Sequence, residues 1–178
     1  CRTRPLVDGD VVTYRVTVVC WGNICRSPMG EYLLKEAVAD AGLADQVIVD
    51  SAGTSSDELG QPMHPRTAAV MRRHEHADLG WAGHRARRFD ASWFDNVDLV
   101  LAADHVHVDI LRERARTPEE AGRVRLFRSF DPAAVAAGTL GMDDPWYGTD
   151  PAYEQTYAEI MAAIPGILAY LRASLALS

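Results

Sequence analysis

Cys20-Trp21-Gly22-Asn23-Ile24-Cys25-Arg26-Ser27-Pro28 is the stretch on which the reading of this chain turns. Immediately before it, Tyr14-Arg15-Val16-Thr17-Val18-Val19 is β-branched and apolar, the pattern of a buried strand. At its far end Ser27-Pro28 opens a helix, with Ser27 as the expected N-cap and Pro28 at the first helical position. In that helix Met29, Leu33 or Leu34, Ala37 and Val38 share one face, and Gly42 ends it. The nine residues therefore span a strand-to-helix junction, the place where an open α/β sheet holds its ligand.

The rest of the chain repeats that alternation. Val47-Ile48-Val49-Asp50-Ser51 predicts a second strand ending at Gly53, and a helix from about Pro65 carries Ala68, Ala69 and Met71. Val97 to Ala102 predicts a third strand with a helix through Leu111 after it, and Arg123 to Phe127 a fourth. A loop rich in Asp, Pro and Gly runs from Asp131 to Pro151, before a last helix from about Tyr153 to Leu175 that Pro165-Gly166 is expected to kink or divide. Alternating strands and helices imply βαβ units, hence a parallel sheet covered on both faces. Residues 1–13 read as an irregular N-terminal extension and residues 14–178 as one domain.

Composition narrows the function classes. The 178 residues carry a net charge of −7, which argues against a nucleic-acid partner. No uninterrupted apolar run approaches the roughly 18 residues of a membrane span, and no charged-then-apolar leader is seen, so no membrane association and a cytoplasmic location are expected. Three cysteines cannot make a disulfide framework and suit a reducing compartment.

The junction carries the chemistry. A helix N-terminus offers free N–H groups and partial positive charge, and Gly22 and Asn23 tolerate the backbone angles that turn amides inward as an anion nest. Cys20 sits at the base of that nest, where the field favours its thiolate. Arg26 follows six residues later with a planar fork that can grip two phosphate oxygens, as Lys cannot. A thiolate, a ring of amides and an Arg fork describe a phosphate-monoester site working through a phosphocysteine intermediate. Such a displacement also needs a proton for the leaving oxygen. Asp143-Asp144-Pro145-Trp146-Tyr147 supplies two adjacent carboxylates expected to tune one another.

These residues resemble the low-molecular-weight protein tyrosine phosphatase family. The resemblance extends from about Tyr14 to the last helix and rests on Cys20 to Pro28, on Asp50-Ser51-Ala52-Gly53-Thr54, on Pro65-Arg66, and on Asp144-Pro145-Trp146-Tyr147-Gly148. It implies a three-layer α/β/α fold with a four-stranded parallel sheet, the phosphate-binding loop between the first strand and first helix, and neither metal nor cofactor. It implies Cys20 as nucleophile, Arg26 as phosphate ligand and Asp144 as general acid, then general base. The loop positions are Trp21, Gly22, Asn23, Ile24, Cys25 and Ser27, with Ser27 stabilising the thiolate. Asn23, Ser51 and His84 match a network that holds the loop, and Cys25 matches a cysteine that traps the oxidised nucleophile as a reversible disulfide. Phosphotyrosine-containing proteins are the implied partners, with inorganic phosphate as product and inhibitor and the chain a monomer.

Departures from the family pattern bear on specificity. Trp21 stands where a smaller residue is usual, Ser55-Ser56-Asp57-Glu58-Leu59 replaces an aromatic flank, and Trp146 stands where Tyr is usual. Trp21, Asp57, Trp146 and Tyr147 are the expected substrate walls, with Asp57 and Glu58 making one rim hostile to acidic peptides. Three rival functions have their own signals. A protein arginine phosphatase of the same fold tends to carry Thr at the place of Ile24. An arsenate reductase needs two further cysteines, and none follows Cys25. A phosphotyrosine-binding module without turnover requires a defect such as Trp21 filling the pocket.

Other clusters have plainer readings. Asp104-His105-Val106-His107-Val108-Asp109 looks like a metal set, but it begins a helix, where the two imidazoles point apart. His74-Glu75-His76 is read the same way, and Arg85, Arg87 and Arg88 as a solvated basic run.

Overall fold

The computed structural model describes residues 13–76 and 79–177. Apart from Thr13, the N-terminal extension with Cys1 lies outside the described residues. Four parallel strands form one sheet in the order β2-β1-β3-β4: β1 Tyr14–Cys20, β2 Val47–Gly53, β3 Leu99–Ala102 and β4 Val124–Leu126. The register sets Cys20 opposite Gly53 and Val19 opposite Ala102. Six helices accompany the strands: α1 Arg26–Asp40, α2 Pro65–Arg73, α3 His105–Arg114, α4 Pro118–Gly122, α5 Pro132–Ala137 and α6 Asp150–Leu175. Chain order and sheet order part company beside β1, and the crevice at the C-terminal ends of β1 and β3 is the switch point where such sheets bind ligands.

The two-residue period of the strands divides the core. Val16, Val18 and Cys20 of β1, with Leu99 and Leu101 of β3, pack against α1, α2 and α6. Val19, Val100 and Ala102 face the other way, onto Phe89, Phe94, Val108 and Leu111. Cys20 thus ends β1 on the side from which α1 departs.

Three expectations are revised. α1 begins at Arg26 with Cys25 as N-cap, so Ser27 is not the cap. Its hydroxyl is engaged instead with Cys20 and Asn23. Pro28 still lies in the first turn, where its missing N–H costs no helical bond. The loop 131–151 contains α5, capped by the Asp131 side chain and closed by Gly138 at φ 70°, and a 3-10 turn over Pro145–Tyr147. α6 starts at Asp150 and runs undivided through Pro165-Gly166. Pro165 lies on the exposed side. Gly166 lets the Phe130 carbonyl reach the helix backbone, since a Cβ there would sit 2.0 Å from that oxygen.

At 26 residues α6 is long and apolar enough to cross a membrane by length and composition, which a count of uninterrupted apolar residues did not reveal. Its buried stripe, including Tyr153, Ile160, Ile164, Ile167 and Leu171, is core, packed on α1, α2 and the Phe127–Phe130 turn. The His-x-His segment does begin a helix. Asp104 caps it, His105 is exposed and His107 is buried, so the two rings diverge.

Gly166→Ala should destabilise the fold by at least about 2 kcal/mol, because the clash is with backbone and not with a movable side chain. A thermal melt at the wild-type midpoint would remove Gly166 from this role. Burial pushes the His107 imidazole down to about 4. The folded state keeps His107 neutral while the unfolded state, titrating near 6.5, binds a proton. The His107 contribution is therefore intact above about pH 6.5 and is lost as pH falls toward 4. Denaturant titrations across that window should show a shallower pH slope for His107→Asn; an unchanged slope would contradict the assignment.

Candidate active site

The turn after β1 is shaped by one residue in an unusual conformation. Asn23 has φ 59°, one of two non-glycine residues with positive φ among those described. Every polar group of its side chain is used. Its Nδ2 donates to Ser27 Oγ at 2.9 Å and Ser51 Oγ at 2.8 Å, and its Oδ1 accepts from the Arg87 amide at 2.9 Å. His84 Nε2 donates to its carbonyl at 2.7 Å. Burial holds His84 below the usual histidine range, so the neutral ring serves as a fixed donor. Ser51 Oγ donates to Glu31 Oε2 at 2.5 Å, and Glu31 also accepts from Lys35 at 2.5 Å.

The turn sorts its backbone polarity. The Cys20 carbonyl accepts from Thr54 N, that of Trp21 from Ser55 N, and that of Ile24 from His64 N, at 2.8 to 2.9 Å. The carbonyls of Cys20, Trp21, Asn23 and Ile24 are engaged on the outside, while among the described residues no backbone acceptor takes the amides of Gly22 to Cys25. Gly53 makes this possible: a Cβ on it would lie 2.5 Å from the Trp21 carbonyl oxygen. The result is a concave ring of amides around Cys20, whose Sγ lies 3.0 Å from Ser27 Oγ.

Arg26 closes the ring with its side chain 4% exposed. Its NH1 donates to the Met142 carbonyl at 2.9 Å and its NH2 to Asp144 Oδ2 at 2.7 Å. Its Nε is buried with no partner among the described residues. Asp144 Oδ1 in turn accepts from Trp146 N, which caps the Pro145–Tyr147 turn and aims the carboxylate inward. Asp143 is exposed and lines a different cleft with His105 and Arg128, so the neighbouring carboxylate does not share the site of Asp144 as expected.

These groups line a cleft of about 200 Å³. Cys20, Gly22, Ile24, Cys25 and Arg26 form its floor, Trp21, Asp57 and Glu58 one side, and Asp144, Trp146 and Tyr147 the other. Trp21 stands at the rim, where its Nε1 donates to Asp57 Oδ2 at 3.1 Å, and does not fill the cleft. Cys25 is buried and free. Burial, with the Cys20 charge next in effect, pushes its thiol up to about 12.

Each sequence-predicted site residue is accounted for. Cys20, Arg26, Asp144, the loop residues Gly22, Ile24 and Cys25 and the four wall residues share the cleft, while Asn23, Ser27, Ser51 and His84 stand behind it. Glu31 and Arg87 were missed. Glu31 lies four residues from both Ser27 and Lys35, a legible helical spacing, but its burial was not legible. Arg87, read as solvated, holds Asn23 through its amide and the Ser51 carbonyl through its guanidinium at 3.0 Å.

Comparison with known proteins agrees with this geometry. The family model described as low molecular weight phosphotyrosine protein phosphatase matches residues 15–177. A low molecular weight protein-tyrosine-phosphatase of Streptomyces coelicolor is 47% identical over 162 residues, 90% of this chain and 95% of that one. The low molecular weight protein-tyrosine phosphatase A of Mycobacterium tuberculosis is 39% identical over 85% of this chain and 88% of its own length. A crystal structure of a protein tyrosine phosphatase from Entamoeba histolytica, with Hepes in its active site, superposes with a TM-score of 0.83 at 25% identity, covering 91% of this chain and 99% of that one. A match of that extent around a cysteine-and-arginine loop makes the chain a member of the low molecular weight phosphotyrosine protein phosphatase family, the cysteine-dependent protein tyrosine phosphatases.

Proposed function

We propose that the chain hydrolyses phosphotyrosine on proteins in two steps, with Cys20 as nucleophile, Arg26 as phosphate ligand and Asp144 as acid and base. The observation that carries this reading is the sorted loop, with carbonyls engaged outward, amides free inward, and a cysteine and an unpartnered Arg Nε at its focus. A phosphoryl group seated there has its three equatorial oxygens among the amides and the guanidinium, and its phosphorus in line with Cys20 Sγ. Ser27 donates to the thiolate.

The Arg26–Asp144 pair supplies the ordering of events. A phosphate that takes Nε and NH2 of Arg26 as a two-pronged grip displaces Asp144 from NH2. The freed carboxylate, still tethered through Trp146 N, sits on the leaving-oxygen side and takes up a proton from solvent before the attack. There Asp144 protonates the departing phenolate, and then draws the proton from the water that frees phosphate from Cys20. Trp21, Trp146 and Tyr147 supply apolar walls for an aryl ring, while Asp57 and Glu58 make one rim acidic. Ile24 on the floor suits an aromatic ester better than the cationic leaving group of phosphoarginine. Inorganic phosphate, the product, competes for the same nest. Cys25, buried beside Cys20 on the same floor, serves as the resolving thiol after oxidation of the nucleophile.

Asp144→Ala should lower kcat on a phosphotyrosine peptide by about 10²–10⁴-fold, less with a better leaving group, whereas Asp143→Ala should leave it near wild type. Greater damage from Asp143→Ala would reverse the assignment. Gly53→Ala should depress turnover and weaken phosphate inhibition together, since its Cβ meets the Trp21 carbonyl and distorts the amide ring. Wild-type phosphate inhibition in that variant would show that the ring does not depend on this approach.

A further inference from the structure

Cys25 is hydrogen-bonded away from the cleft as well as facing it. Its Sγ lies 3.9 Å from the Tyr153 hydroxyl, and that hydroxyl lies 3.2 Å from His64 Nδ1. The direction of these bonds follows from a third. The Arg66 amide donates to His64 Nδ1 at 3.2 Å, so Nδ1 is an acceptor and the neutral ring carries its proton on Nε2. With Nδ1 unprotonated, Tyr153 is the donor to it, sharing the one lone pair of that nitrogen with the Arg66 amide, which leaves the Tyr153 oxygen as acceptor for the Cys25 thiol. The chain of bonds runs one way, from a buried thiol to a half-buried imidazole.

The surroundings suit a thiol that must lose its proton only when needed. Tyr153 is 1% exposed and is not among the residues lining the cleft, and Cys25, which does line it, is only 5% exposed. Thr67 is fully buried, and its hydroxyl has no partner among the described residues at rest. The Tyr153 and Thr67 hydroxyls both favour the Cys25 thiolate, against burial and the negative charges of Cys20 and Asp144. His64 is held below the usual histidine range first by burial and then by Arg66, with Glu58 acting the other way. It is therefore unprotonated and able to accept near neutral pH. Its ring stacks on Tyr153 and meets Trp146 edge-on, which fixes the geometry of the relay.

We infer that Tyr153 and His64 are the proton outlet of Cys25, used when Cys25 attacks the oxidised nucleophile. The inference rests on the resolving role proposed for Cys25. A hydroperoxide first oxidises Cys20: the thiolate attacks the O–O bond, giving the sulfenic acid and releasing hydroxide or alkoxide. Cys25 then attacks the Cys20 sulfur. The S–S bond forms, the S–OH bond breaks, and the hydroxide leaves as water on taking up a proton from solvent in the cleft. The Cys25 proton moves to the Tyr153 oxygen as the Tyr153 proton moves to His64 Nδ1, and His64 passes a proton from Nε2 to solvent. Once its proton has left, the Cys25 thiolate is stabilised by the Tyr153 and Thr67 hydroxyls until the S–S bond forms.

The test uses the reduced full chain, hydrogen peroxide, and quenching at timed intervals. A cyclic dione traps the sulfenic acid, and mass spectrometry counts the Cys20–Cys25 disulfide. Tyr153→Phe should form the disulfide about tenfold or more slowly, the effect of a smaller thiolate fraction on attack. The first oxidation of Cys20 should keep its wild-type rate. His64→Asn retains an oxygen to accept from Arg66 and Tyr153 but has no basic nitrogen, and should show the same delay. The advantage of wild type over His64→Asn should shrink as pH falls and His64 becomes protonated, a response that a purely structural role would not produce. Wild-type disulfide rates in both variants, or in His64→Asn alone, overturn the relay while the role of Cys25 stands. A wild type that over-oxidises as fast as Cys25→Ser, with no disulfide, removes the role of Cys25 and the relay with it.

Discussion

The conformation of Asn23 is the constraint on which the site depends. A non-glycine residue at positive φ is unfavourable by itself and persists only where its surroundings over-determine it. Here four partners do so: Ser27, Ser51, the Arg87 amide and His84. Holding Asn23 turns the following amides inward, and inward amides are what a phosphate recognises. The bonds come from α1, β2 and the segment before β3, so the shape of the loop depends on how those elements pack together. The anion nest is thus a product of tertiary structure, although its residues are contiguous.

The network continues into the core through Ser51 to Glu31 and Lys35. Glu31 is 4% exposed, and a carboxylate so buried is tolerated only when its lone pairs are engaged. Lys35, the only lysine in the chain, supplies one partner and the catalytic-side Ser51 the other. Removal of either leaves a desolvated acceptor, which links the stability of α1 to the shape of the loop.

Arg26 and Cys25 connect the loop to the C-terminal third of the chain by separate routes. Arg26 reaches the Met142 carbonyl and Asp144, so the acid loop and the phosphate loop are positioned by one guanidinium. Cys25 reaches Tyr153 on α6, and through it His64 at the start of α2. In the proposed chemistry the first route serves turnover and the second serves recovery from oxidation. Trp146 touches both, since its amide holds Asp144 and its ring meets His64.

Much of this was legible in the sequence because it is local. The β-branched run, the nine-residue junction and the apolar face of α1 follow from short-range periodicity and turn chemistry, and they locate Cys20, Asn23 and Arg26 without a structure. Ser27 was placed correctly in the loop but misread as a cap, because its competing partners, Cys20 and Asn23, are brought in by the fold of the turn. Pro165-Gly166 is expected from the sequence to kink or divide the last helix, yet the helix is undivided and the approach of the Phe130 carbonyl makes the pair a packing site inside it. The sequence by itself determined the order of strands and helices and the residues of the nest, since those depend on neighbours a few positions apart. Tertiary structure alone decided that Asp143 is turned away from the site that Asp144 shares with Arg26, that Glu31 and Arg87 brace the loop, and that Cys25 looks toward Tyr153. Each of those contacts joins elements far apart in the chain, and only the packing of α2 and α6 beside the end of β1 brings them within hydrogen-bonding distance.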